Sequence, residues 1–190
     1  MTPGLYHHIS RFWRNPPRET LQSRLIEWRA GNSLVKVDKP LRLDRARALG
    51  YKAKKGFVVI RVRLKRGGRQ RPRHKHGRKS RKQHVRKTLK MNYRWVAEIR
   101  AARRYLNLEV LNSYLLAKDG KYYFFEVIMV DTERPEIKND PVINWICKAE
   151  NRKRAERGLT SAAKKSRGLR SKSHNLKVRP SLRAWDRQGK

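Results

Sequence analysis

Residues 65–84 read KRGGRQRPRHKHGRKSRKQH, and none of these 20 positions carries an Ala, Val, Ile, Leu, Met, Phe, Tyr or Trp side chain. A segment with nothing apolar to bury cannot offset the entropy of ordering itself. Gly67-Gly68 and Pro72 punctuate it further. A stretch this long without regular structure, set inside a domain, is usually a functional element or a linker. Its charge selects the first: the segment is expected to thread along a polyanion and to order on binding. Whatever folds must do so from the sequence on either side.

Charge follows the same division. The chain has 190 residues, with 51 Lys and Arg against 15 Asp and Glu, for a formal net charge of +36. Residues 45–97 hold 21 basic side chains and no acidic ones, and residues 148–190 hold 15 against 3. Residues 98–147, with 7 basic and 8 acidic, look like an ordinary protein, and residues 1–44 are intermediate with 8 and 4. So basic a chain repels itself and collects polyanions. Nucleic acid supplies about one charge per 1.7 Å of duplex axis.

Cys147 is the only cysteine, which excludes an internal disulfide and a cysteine-based zinc site and fits a reducing cytosol. The start, Met1 to Trp13, has no apolar core of signal-peptide length. No stretch approaches the roughly 18 apolar residues of a membrane span.

Leu5, Ile9 and Phe12 recur at helical spacing until Pro16-Pro17, and Leu21, Leu25 and Trp28 repeat it until Gly31, so residues 1–44 are expected to form a small helical hairpin. Asp44 is placed to cap a short helix ending at Gly50. In Phe57–Leu64, Ile60, Val62 and Leu64 alternate with Arg61, Arg63 and Lys65, which predicts a half-buried strand with a row of cations on its open face. Like charges on one strand face repel, and an anion relieves this. Val85, Leu89, Val96, Ile99 and Leu106 mark a longer helix with a basic first half, including Arg86 and Lys87. Leu108–Ala117 and Tyr122–Val130 read as strands joined at Asp119-Gly120, and the unbroken apolarity of FFEVIMV predicts a strand covered on both sides. Asp140-Pro141 is expected to start a helix carrying Ile143 and Ile146. From 148 onward the chain is basic and without sustained periodicity. The expected architecture is a single α+β domain with a small, mostly antiparallel sheet flanked by helices. Its core is about 50–64 plus 85–147, with long basic extensions lacking regular structure: a loop at 65–84 and a C-terminal extension at 148–190.

No catalytic constellation emerges. Gly77-Arg78-Lys79-Ser80 lacks the earlier glycine and the strand of a phosphate loop. Carboxylates are absent where a metal-dependent nuclease needs them. Asp119, Glu126 and Asp131 belong to the hairpin and read as surface charges. His74 with His76, or His7 with His8, are too few ligands for a metal cage, and beside so many arginines they suit phosphate or base edges better. Trp28, Trp95, Phe124 and Phe125 sit at core-like positions. Trp13, Tyr51 and Trp185 lie beside Arg or Lys, where an aromatic ring can stack on an unpaired base, although each taken singly is more often packing.

Longer motifs add to this reading. Arg45-Ala46-Arg47-Ala48-Leu49-Gly50-Tyr51-Lys52-Ala53-Lys54-Lys55-Gly56-Phe57-Val58 resembles the signature of large-subunit ribosomal protein fifteen of archaea and eukaryotes. Val110–Tyr114 resembles the family's VLNSY strand, with Glu109 where arginine is common, and Phe125–Ile128 resembles its second hairpin strand. Arg157–Ala162 and Lys165–Leu169 resemble its RGLTSA and KSRGL segments, with Ala163 where the family has glycine. The resemblance runs from about Leu5 to Arg183, and the tail near Val178–Arg183 looks archaeal.

The resemblance implies a structural protein of the large ribosomal subunit with no catalysis, cofactor, metal, membrane or small-molecule substrate. Its partners are large-subunit ribosomal RNA and neighbouring ribosomal proteins, in single copy rather than as a homo-oligomer, in the cytoplasm. Motif by motif it implies RNA contact at Lys52, Lys54, Lys55, Arg157, Lys164, Lys165, Ser166 and Arg167. Composition adds the loop positions Lys65, Arg66, Gly67, Gly68, Arg69, Arg71, Arg73, His74, Lys75, His76, Arg78, Lys79, Arg81 and Lys82. Arg45, Arg47, Tyr51, Arg61, Arg63, Arg86, Lys87, Arg170 and Lys172 complete the candidate set. The competing readings are a free RNA-binding or chromatin-type protein, which exchanges quickly, and an RNA-processing enzyme, whose catalytic set is missing.

Overall fold

A computed structural model describes residues 2–70, 86–87, 89 and 91–170. Helix α1, Leu5–Arg14, stops at Asn15 because Pro16-Pro17 cannot continue it. Helix α2, Arg18–Ala30, ends where the Gly31 amide donates to the Glu27 carbonyl at 3.0 Å. Strand β1 (Leu34–Val37) and helix α3 (Leu43–Ala48) follow. Strand β2 (Phe57–Lys65) leads to two-residue strands β3 (Arg69–Gln70) and β4 (Arg86–Lys87). Helix α4 (Tyr93–Arg104), strands β5 (Leu108–Lys118) and β6 (Tyr122–Asp131), and short helices α5 (Pro135–Lys138) and α6 (Ser161–Ser166) complete the order.

The main sheet runs β1-β2-β6-β5, antiparallel throughout. It is an α+β fold, as the sequence predicts. The apolar run of β6 is interior, with Phe124 to Val130 all buried. Alternation along β2 and β6 splits the core into two faces. Ile60, Val62, Leu64, Phe125, Val127 and Met129 pack with Ala97 and Ala101 of α4. Val59, Phe124 and Ile128 pack on the opposite face with Trp28 of α2, Ala46 of α3 and Tyr114. At the far end Val130 joins Ile137, Ile143 and Ile146.

The Asp119-Gly120 turn closes as expected. The Asp119 carboxylate accepts from the Lys121 and Tyr122 amides at 2.7 and 2.5 Å, an Asx arrangement that makes the side chain part of the turn. Strand β5 has register shifts at Leu111 and Leu116, each of which locally re-aims the strand.

Three expectations are revised. The helix expected from Val85 begins only at Tyr93. The Asn92 side chain accepts from the Trp95 amide at 2.8 Å, a cap that fixes the start, and residues 86–87 are held in the β3–β4 ladder instead. Asp140-Pro141 does not open an α-helix, and Asn144–Cys147 form a single 3-10 turn. The chain from 148 is not uniformly an extension: Ala155, Thr160, Ala162 and Ala163 are buried, and α6 packs near α4. Ala163 lies inside α6, where alanine is a better helix former than glycine by about 1 kcal/mol.

Candidate nucleic-acid interface

Side chains of several candidate residues are already engaged within the fold. On the β2 face, the Arg61 guanidinium lies over the Trp28 ring at 5.1 Å from its centroid and 3.8 Å from the Glu27 carboxylate. Arg63 donates to the Trp28 and Arg29 carbonyls and lies over the Tyr122 ring at 5.1 Å. The open cationic face expected for β2 is therefore closed by α2, because the arginine planes find aromatic partners there. Burial pulls the Arg61 pKa down, although an arginine stays charged in any such setting. Tyr51 is buried, edge-on to Phe57 at 5.8 Å, so its ring belongs to the core rather than to a base. The Ser166 hydroxyl accepts from the Asn92 amide at 3.0 Å, which ties α6 to the start of α4.

Other candidates face outward. Lys55, Lys65, Lys164 and Lys165 are exposed, with no acidic partner among the described residues. Arg45 is exposed, and Arg47 reaches the Tyr6 hydroxyl and lies over its ring at 5.6 Å. Arg157 donates to the Glu150 carbonyl at 2.5 Å, and Arg167 donates to the Gly158 carbonyl at 2.7 Å. Arg170 donates to the Ser161 hydroxyl at 3.0 Å.

The root of the basic loop is built with care. Arg66 lies over the Tyr123 ring at 5.0 Å and donates to the Asp119 carbonyl. The Gly67 amide donates to the Tyr93 hydroxyl at 2.8 Å, and that hydroxyl donates back to the Gly67 carbonyl at 2.9 Å. Gly67 has φ +105, a conformation glycine adopts without steric cost. Gly68 is exposed beside it. The side chains of Arg69, Arg86 and Lys87, and all of Arg71, Arg73, His74, Lys75, His76, Arg78, Lys79, Arg81, Lys82 and Lys172, lie outside the described residues, as does Trp185.

Lys52 and Lys54 share one acid. Both donate to the same Asp140 oxygen, at 2.9 and 2.5 Å, and Lys54 also donates to the Glu136 carbonyl at 2.9 Å. Lys54 first, then Lys52 and the Val142 amide, hold the Asp140 carboxyl well below the usual carboxylate range. Charge density in the family signature is therefore partly neutralised in place.

Two buried carboxylates hold the scaffold. Glu98 on α4 accepts from the hydroxyls of Ser113 and Thr160. Glu126 on β6 accepts from the Tyr114 hydroxyl and, at 3.3 Å, from the Leu41 amide. Burial pushes both carboxyls up, and their hydrogen bonds only partly offset it. The hairpin acid Glu126 is thus a core residue and not the surface charge its position suggests. The Tyr114 hydroxyl is pushed up in turn, by burial and then by Glu126.

The sequence reading missed Arg154. Its Nη1 donates to the Val110 and Leu111 carbonyls at 2.7 and 3.1 Å, and its guanidinium stacks on the Trp145 ring at 4.8 Å. Nothing in the pattern of a basic tail marks one arginine as buried. The Glu109 carboxylate accepts from the Lys153 amide at 2.7 Å, where Lys153 adopts φ 53.

Among the described residues no cluster of three or more His, Cys, Asp or Glu is placed to hold a metal, and no helix is long and apolar enough to cross a membrane. The site offers exposed cations, arginines laid over aromatic rings and buried anchoring. A family model described as Ribosomal L15 matches residues 4–185. The large ribosomal subunit protein eL15 of Methanocella arvoryzae is 47% identical to this chain over 196 aligned positions that span all of both proteins.

Proposed function

The chain belongs to the ribosomal L15 family, and from that premise we propose that it is a structural constituent of an archaeal large ribosomal subunit, in the cytoplasm, without catalytic activity of its own. The observation that carries this is full-length identity to a large-subunit protein, 47% over 196 positions. A net charge of +36 supports it, since such a chain needs a partner as anionic as nucleic acid.

The proposed mechanism is mechanical and electrostatic. The sheet and helices form a rigid block. The exposed lysines and the basic segments at 65–84 and 171–190 lie against phosphates and fill gaps between RNA helices. Such contacts position RNA and need not read its bases, so specificity comes from the shape of folded RNA and from neighbouring ribosomal proteins. Arg61, Arg63, Tyr51 and Ser166 serve this interface indirectly, by fixing the elements that carry it.

Filter binding of the full chain to large-subunit and small-subunit ribosomal RNA across a salt series tests this. The expected result is a steep fall of log affinity with log salt, together with a preference for large-subunit RNA that survives at the high-salt end. Equal affinity for both RNAs at every salt concentration contradicts it and favours a free, nonspecific RNA-binding protein.

A further inference from the structure

A cavity of about 520 Å³ opens beside the bulge in β5, between the end of α3, the 3-10 turn at Asn144–Cys147 and α6. It falls within the range of roughly 300–1,000 Å³ typical of small-ligand sites. One wall is apolar, built from Leu111, Val142 and Trp145. Leu111 is there because the register shift between Val110 and Asn112 leaves it outside the β5–β6 pairing. Val142 is 67% exposed, an apolar side chain at the mouth that gains from being covered.

Cations also line it: Lys52, from the chain after α3, meets Lys164 and Arg170 of the C-terminal part at this opening. Among the described residues, Lys52 alone of the three has an acidic partner, Asp140 at 2.9 Å. Arg154 also lines the cavity, only 9% exposed, with its guanidinium held over the Trp145 ring. An apolar surface beside a cationic rim matches one kind of ligand: an apolar ring joined to a phosphate.

We propose that this cavity receives one unstacked nucleotide of the bound RNA. The base lies against Leu111, Val142 and Trp145, and the phosphate sits between Lys164 and Arg170. RNA sites of this kind take bases splayed out of the helix and place them on aromatic or guanidinium planes. The inference rests on the RNA-binding reading above. An acidic side chain of a neighbouring protein also carries charge and acceptors, but it lacks the planar apolar body that the Leu111 wall fits.

Two measurements on the protein as it exists decide it. Native large subunits are cross-linked with ultraviolet light, digested with nuclease and trypsin, and analysed by mass spectrometry. The expected product is a nucleotide adduct on the peptide from Asn139 to Lys148, which carries Trp145. A protein–protein cross-link on that peptide in place of a nucleotide overturns the proposal. Separately, Val142→Glu and Leu106→Glu are compared in the full chain for binding to a large-subunit RNA transcript. Leu106 is 85% exposed and away from the cavity lining, so both variants keep the core and add the same charge. Val142→Glu is expected to weaken binding by about tenfold or more and Leu106→Glu by about threefold or less, a difference of roughly one stacked base. Equal losses overturn the cavity assignment while leaving RNA binding intact. Failure of the unaltered chain to prefer this RNA would instead sink the functional reading itself.

Discussion

The Thr160 hydroxyl donates to the buried carboxylate of Glu98, 62 residues away in the chain. A residue from the basic C-terminal part thereby satisfies an acid on the central helix. Ser113 of β5 donates to the other carboxylate oxygen, so one side chain joins helix, sheet and C-terminal segment.

Thr160→Val keeps the shape and removes that donor. The expected cost is about 1–3 kcal/mol at neutral pH, the penalty for stranding a buried acceptor. Burial already raises the Glu98 pKa above its ordinary 4.5. The folded chain therefore holds a proton that the unfolded chain releases, and stability from this group is fullest below 4.5 and declines as pH rises through the folded value. Losing a donor raises the folded value further, so the cost of Thr160→Val grows with pH. Urea melts from pH 4 to 8 check this, and a cost that is flat or falls with pH contradicts it.

Gly56→Ala is expected to destabilise by about 2–4 kcal/mol, from a left-handed backbone and an overpacked core. Gly56 has φ +93, and an added Cβ would stand 2.6 Å from Ile137 Cγ1 and 2.9 Å from Ile137 Cδ1. Gly120, with nothing within 4 Å, is the control: Gly120→Ala is expected to stay within about 0.5 kcal/mol. Thermal unfolding of both variants separates the two.

Arg61 and Lys165 are expected to differ in kind. Arg61→Ala loses the Trp28 stack and is expected to cost about 1 kcal/mol of stability with the salt slope of RNA binding unchanged. Lys165→Ala is expected to leave stability within about 0.5 kcal/mol and to reduce that slope by about one. Denaturant melts and salt titrations on both variants measure this. A reduced slope for Arg61→Ala would return the β2 face to the RNA interface.

Asp140→Asn releases Lys52 and Lys54 from their shared acid. RNA affinity is expected to rise and its salt slope to steepen by about one to two. The Asp140 carboxyl is held low by its lysines, so its contribution to stability is present above about pH 3.9, the ordinary aspartate value, and is lost as pH falls below it. The variant should lose that part of the acid sensitivity, which melts between pH 2 and 5 reveal.

Period-2 alternation and an Asp-Gly turn made the β5–β6 hairpin and the apolar half of β2 legible, because side-chain direction in a strand is fixed by parity. Parity does not say what covers the other face. Arg61 and Arg63 read as open cations until Trp28 arrives from α2, a contact between residues 33 and more apart that no local pattern encodes. Glu98 and Glu126 were invisible for the same reason: a carboxylate becomes a core residue only when hydroxyls from elsewhere meet it. The start of α4 was hidden because apolar spacing continues through Leu89, while the Asn92 cap, which interrupts it, depends on hydrogen bonds to Ala162 and Ser166. Family motifs point to cations such as Lys52, Lys54, Lys164 and Lys165 as the candidate interface, and they do not point to Arg154, whose burial depends on the Val110 and Leu111 carbonyls.

Sedimentation of a native cell extract on a density gradient, with this chain followed by mass spectrometry before and after a high-salt wash, tests membership of the large subunit most directly. The account predicts that the chain stays with large subunits, one copy per particle, through the wash. Release by the wash, or a peak with free RNA or chromatin, would contradict it.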